Sequence, residues 1–92
     1  FAAAAATADW KNAKDFNLVM TNAAGANAYP IAASTFILLP KQPKDRARSS
    51  AAIAFFKYAL EHGQDQAKKL DYVPLPDPLV RQIESYIGAN IK

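Results

Sequence analysis

Few residues in this chain are able to do chemistry, and their spacing does not bring them together. His62 is the single histidine of a 92-residue sequence that contains no cysteine. It closes a helical pattern just before Gly63, where a helix C-terminus favours a surface imidazole, and no carboxylate is arranged around it by helical spacing. Glu61 and Glu84 are the only glutamates and read as solvent-facing helix positions. Asp71 reads as a turn residue and Asp77 as a helix N-cap. General acid–base catalysis needs two such groups converging in a cleft, and a metal needs several ligands at matched spacing. Neither pattern occurs. No catalytic residue, metal ligand or cofactor is therefore assigned, and the chain does not read as an enzyme.

The densest charge cluster is Lys41, Lys44, Arg46 and Arg48. Two readings stand for it: an anion or nucleic-acid patch, or a solvated loop leading into a helix. Asp45 interrupts the run, Pro43 makes it a turn and no aromatic residue interleaves it, which favours the loop. Basic charge in a first helical turn is locally unfavourable and keeps the anion reading open. Ser49 and Ser50 offer hydroxyls, yet no G-x-x-x-x-G-K-[ST] or G-x-G-x-x-G loop precedes them. A net charge of +3 is mildly basic. Nucleic acid is not an expected partner. Trp10, Tyr29 and Phe36 could line a cleft, although aromatics beside apolar segments are more often core.

The elements that must position these residues are legible in outline. An alanine-rich start predicts a helix end, interrupted near Asp9-Trp10. Phe16–Met20 predicts a short strand, and Thr21–Ala28 a loop rich in Asn and Gly. Pro30 biases Tyr29 toward extended backbone. Ile31–Leu39 is almost continuously apolar before Pro40, which predicts a strand buried on both faces. Asp45 caps or charges the start of a helix whose stripe is Ala52, Phe55, Phe56 and Ala59, widened by Ile53 and Leu60. Gly63 is expected as its left-handed C-terminal residue. Gln64–Leu70 predicts a short helix with Asp65 early and Lys68-Lys69 late. A last helix starts at Asp77-Pro78 and buries Leu79, Ile83, Tyr86 and Ile87. No disulfide framework, basic secretion leader or apolar run near the ~20 residues of a membrane span is present.

Two segments carry a more specific message. Leu70-Asp71-Tyr72-Val73-Pro74-Leu75-Pro76-Asp77-Pro78-Leu79-Val80 sets three alternating prolines before a helix. Tyr29-Pro30-Ile31-Ala32-Ala33-Ser34-Thr35-Phe36-Ile37-Leu38-Leu39 is an aromatic-Pro step followed by an apolar run. With Phe1–Trp10 and Ala54-Phe55-Phe56-Lys57-Tyr58-Ala59, these resemble the periplasmic phosphate-binding proteins of bacterial phosphate ABC transporters. The resemblance runs over essentially the whole chain and matches the carboxy-terminal portion of that much longer family.

The resemblance implies an α/β fold: part of a type II periplasmic-binding-protein architecture, with about three helices and two or three strands. It places residues 1–33 at the end of the second lobe and 34–92 in the crossover strand and closing helices of the first. Ala33, Ser34 and Thr35 become the hinge. The family holds its oxyanion with a Ser-Gly-Thr helix start, an arginine and an aspartate. None of these is matched here, so no ligand-binding residue is expected in this segment. The implied partners are inorganic phosphate, bound by the full-length protein, and ABC transporter membrane subunits, with a periplasmic location. The alternative reading, from another class, is a small free-standing basic helical interaction module.

Overall fold

The computed structural model describes residues 1–91. Its elements in order are α1 (Ala2–Thr7), a 3-10 turn (Lys14–Phe16), α2 (Arg46–His62), α3 (Gln64–Lys69) and α4 (Asp77–Asn90). Among the described residues there is no strand. This corrects the α/β expectation. Phe16–Met20 splits between the 3-10 turn and irregular chain, and Ile31–Leu39 runs without a ladder after a bend at Pro30-Ile31. The physical reason is that a strand is defined by its neighbour. An apolar, β-favouring run with no second run beside it can only lie extended. Between the two runs, Asn22 N–H bonds to the Pro30 carbonyl at 2.7 Å, around a tighter turn in which Ala28 N–H bonds to the Gly25 carbonyl.

Helix α2 forms where propensity and capping agree. Asp45 has extended backbone and its carboxylate accepts the Arg48 N–H at 3.0 Å, while alanines fill the interior without Gly or Pro. The helix turns a corner at Gly63, which is not left-handed as expected but sits at φ −91°, ψ −2°. Glycine is needed there because of crowding: a Cβ would stand 2.6 Å from the Ala59 carbonyl oxygen. The left-handed cap lies one helix later. Asp71, at φ 64°, ends α3 with Asp71 N–H bonded to Lys68 O at 3.1 Å and Tyr72 N–H to Ala67 O at 2.9 Å. That pair of crossed bonds is a Schellman motif with aspartate in the usual glycine position.

Helix α4 opens on the proline turn. Pro76, not Asp77, is its N-cap; Asp77 falls in the first turn and makes no capping bond, although its charge still suits the helix dipole. Leu79, Val80 and Ile87 are buried and Ile83 and Tyr86 half-buried, as the stripe predicts apart from the added Val80. The core sits where α4 meets the amino-terminal end of the chain: Ala5, Trp10, Met20 and Leu79 pack together, with Phe1, Phe16, Leu18, Leu75 and Ile83 around them. The Trp10 indole N–H donates to the Ala5 carbonyl at 2.7 Å inside this cluster.

The predicted stripe of α2 needs a second correction. Ala52, Ile53, Phe56 and Leu60 are half-buried, whereas Phe55 is 66% exposed and Ala59 is also outward. The whole molecule is loosely drawn in. Its radius of gyration is 14.2 Å, against about 12 Å for a compact domain of this length.

Energetics follow burial. Leu79→Ala should lower the stability of the chain by about 2–5 kcal/mol, the usual cost of emptying a buried leucine site. Phe55→Ala should stay within about 0.5 kcal/mol, as expected of an exposed site. Urea midpoints of the two variants check this pair, and equal losses would show that the core is elsewhere.

Candidate functional site

An apolar groove of about 390 Å³ runs along the molecule. One wall is the extended segment Ser34–Leu39. The other is the inner side of α2 and α4, through Phe56, Leu60, Leu79, Ile83 and Ile87, with Trp10 and Phe16 at the base. Phe36 lies on the rim, so two of the three aromatics considered from the sequence meet in the groove. Tyr29 is 61% exposed and not among its lining.

Ser34 brings one polar atom to the groove. Its Oγ is shut off from solvent and finds no hydrogen-bond partner among the described residues, as does one carboxylate oxygen of Glu84. Ala33, Ser34 and Thr35 follow each other along extended backbone, and only Ser34 and Thr35 reach the groove lining.

At one end of the groove is a polar cluster that spacing did not reveal. The Asp15 carboxylate accepts from Lys41 Nζ at 3.3 Å and from the Tyr86 hydroxyl. Its position depends on two consecutive left-handed residues, Asp15 at φ 52° and Phe16 at φ 59°. Such backbone costs a non-glycine residue roughly 1–2 kcal/mol. Ring packing offsets the cost: Phe16 meets Tyr86 edge-on at 5.2 Å and Trp10 at 6.4 Å. The residues lie 26 and 71 positions from Asp15, beyond any local pattern.

The donated Tyr86 hydrogen bond, and then Lys41, hold the Asp15 carboxyl below its ordinary value of 3.8. The same contacts raise Lys41, chiefly through its hydrogen bond to Asp15, and raise Tyr86 for the same reason.

The other sequence candidates stay apart. His62 packs tilted against Tyr58, ring centroids 5.0 Å apart, with its Nε2 3.6 Å from Glu61, on an exposed surface. Arg48 lies beside Asp45 at 3.8 Å, and Lys44, Arg46 and Arg48 are all exposed, which agrees with the solvated-loop reading. Lys41 and Arg46 share a second, more polar hollow of about 490 Å³ with Gln42, Pro43 and Asn90. No group of three potential metal ligands occurs among the described residues. No helix among them is long and apolar enough to cross a membrane. Chemically, the groove suits apolar side chains. It offers an oxyanion no converging donors, and the carboxylate at its mouth would repel one.

The cluster sets a pH dependence at both extremes. A depressed Asp15 contributes stability that is present above 3.8 and lost as pH falls through its lower folded value. A raised Tyr86 contributes stability that is complete below 10.0 and lost as pH rises beyond it. Ultraviolet titration should show one of the four tyrosines ionising after the rest. Asp15→Asn should merge it with them; a Tyr86 that ionises with the others in the unaltered chain would deny the contact.

No family model matches the chain. Curated relatives do. A protein named phosphate-binding protein PstS from Xylella fastidiosa (strain Temecula1) is 60% identical over all 92 residues. Proteins of the same name from Haemophilus influenzae and Pasteurella multocida are 38% and 36% identical over the same span. In each case the chain is covered completely but accounts for only 25–28% of the relative, a carboxy-terminal portion. The family resemblance read from the two proline-bearing segments is thus borne out: from its first residue to its last, the chain is homologous to a carboxy-terminal quarter of phosphate-binding proteins.

Proposed function

We propose that these residues form the carboxy-terminal portion of a solute-binding protein that captures inorganic phosphate in the periplasm and delivers it to the membrane subunits of an ABC permease. The observation that carries this reading is unbroken similarity over all 92 residues to proteins named for phosphate binding. The segment itself supplies no phosphate ligand. Its groove is apolar, its basic residues are solvated or paired with Asp15 and Asp45, and no helix start directs a Ser-Gly-Thr loop at an anion. The relatives are named as binding proteins, which supports a binding role for the whole protein.

In the full-length protein, residues 1–33 close the second lobe and 34–92 return to the first. Ala33, Ser34 and Thr35 act as the crossover hinge. Supporting this is the backbone from Ala32 to Pro40, which has no regular secondary structure and among the described residues makes no backbone hydrogen bond. Such residues can absorb a change of dihedral angles without breaking a ladder. The free-standing module is less well supported. Val19, Ile31, Leu38, Leu70 and Tyr72 are all at least 70% exposed, more large apolar surface than a self-sufficient domain leaves open.

Calorimetric titration separates the readings. The isolated chain should give no specific heat with phosphate, whereas the full-length protein should bind one equivalent; saturable tight binding by the chain alone would defeat the proposal. The hinge has its own test. Ser34→Pro fixes one hinge dihedral, so it should reduce the compaction that phosphate induces in the full-length protein, read by small-angle scattering. Unaltered compaction would move the hinge elsewhere.

A further inference from the structure

We propose that Asp15 latches the hinge: its carboxylate, held by Lys41 and by the Tyr86 hydroxyl, sets the resting angle between residues 1–33 and 34–92, and through that angle the affinity of the full-length protein for phosphate. The proposal rests on the hinge and the phosphate reading given above. It adds a residue that regulates the ligand site without touching the ligand.

On that division Asp15 stands on one side of the hinge and both of its partners on the other. Lys41 follows Pro40, where the extended segment ends, and Tyr86 lies on α4. Among the described residues no other hydrogen bond or ion pair, of side chain or backbone, joins residues 1–33 to residues 34–92. The remaining contact between the two parts is apolar, with Ala5, Trp10 and Met20 against Leu79, and Phe16 against the Tyr86 ring. These two kinds of contact answer differently to a rotation. Apolar surfaces attract without direction and can slide while staying covered. A hydrogen bond weakens steeply once its length or angle leaves a narrow range. Of the contacts described between the parts, only this cluster distinguishes one hinge angle from its neighbours.

The two donors differ in how far they can follow a moving carboxylate. The Lys41 ammonium rides on a flexible aliphatic stem and tolerates displacement. The Tyr86 hydroxyl ends a rigid ring packed edge-on to Phe16 at 5.2 Å and does not. Asp15 is fixed in its turn, because it and Phe16 occupy left-handed backbone at φ 52° and 59°. Backbone of this kind is costly to keep and gathers at clamps and switches; here it aims a carboxylate across the hinge. The Asp15 and Lys41 side chains remain about half exposed, so their bond is modest in strength, which suits a latch that ligand binding must be able to release.

The test uses a full-length protein ending in these 92 residues, free of other cysteines and spin-labelled through Lys11→Cys and Asp65→Cys, exposed positions on opposite sides of the hinge. Pulsed dipolar spectroscopy reads the distribution of label distances without phosphate. Asp15→Asn, which keeps a residue tolerant of left-handed backbone, and Tyr86→Phe, which keeps the ring, should each broaden or shift that distribution. Each should also change the phosphate Kd by about two- to fivefold, the scale of an exposed polar contact. Combined, they should have clearly less than the summed effect, because they weaken the same bond. Asp45→Asn is the control: it removes the same charge where the partner, Arg48, lies on the same side of the hinge, and should leave the distances as they were. An unchanged distribution, an unchanged Kd, equal broadening by Asp45→Asn, or full additivity overturns the proposal. Failure of the unaltered protein to bind phosphate strikes the functional reading instead, and the distances measured without phosphate still decide whether Asp15 holds the hinge.

Discussion

What the rest of this structure depends on is the junction between the chain's beginning and its last helix. Helix α1 has six residues, far fewer than the 12–15 or so at which even alanine-rich peptides become marginally helical in water. It persists because Ala4 and Ala5 are buried and because the Trp10 indole closes onto the Ala5 carbonyl, satisfying an acceptor that the end of a short helix leaves free. Trp10 in turn presents its ring to Met20 and Leu79. A hydrogen bond and a handful of apolar side chains thus tie residues at opposite ends of the sequence. The left-handed pair Asp15-Phe16 sits between them, and its strain is tolerated because Phe16 fits between Trp10 and Tyr86.

This arrangement also explains the groove. Once the amino-terminal end has claimed the buried face of α4 around Leu79, the segment from Ile31 to Pro40 has only the margin of α4 and α2 left to lie against. It leaves a gap that neither side fills. Helix α2 meets α3 and α4 but contributes no fully buried residue, so it is held by partial burial on one side and by its own cap. Electrostatics do little to hold the segment beyond the Lys41–Asp15–Tyr86 cluster. Exposed pairs of this kind generally add little to stability, so the cluster orients the loop more than it fastens it.

The helices were legible in the sequence because their signals are local. Asp45 before an alanine-rich run, Pro78 after Asp77, and the spacing of Leu79, Ile83 and Ile87 are each decided within a few residues. The proline-bearing segments were legible as a family resemblance for a similar reason, since they are contiguous. What failed was the part that depends on neighbours. Ile31–Leu39 has the composition of a buried strand, but strand formation is a property of pairs, and no paired run exists among residues 1–91. Phe55 and Phe56 are adjacent and equally apolar; which of them faces inward is settled by where α4 and the extended segment lie. The Asp15 cluster left no trace because its members are brought together only by the fold. Ser34 entered the sequence reading solely through the family resemblance, and its unpartnered hydroxyl is visible only in three dimensions.

The extended segment without backbone partners has a thermodynamic signature of its own. The ten residues from Ile31 to Pro40 have no backbone hydrogen bond among the described residues, and fixing such residues costs on the order of 1–2 kcal/mol each. Whatever orders them does so by removing Phe36, Ile37 and Leu38 from water. That removal lowers the heat capacity of the system, so the enthalpy of ordering becomes steadily more favourable as temperature rises. The binding enthalpy of any surface that meets this segment will therefore slope downward with temperature more steeply than contact between two rigid faces of equal area would allow.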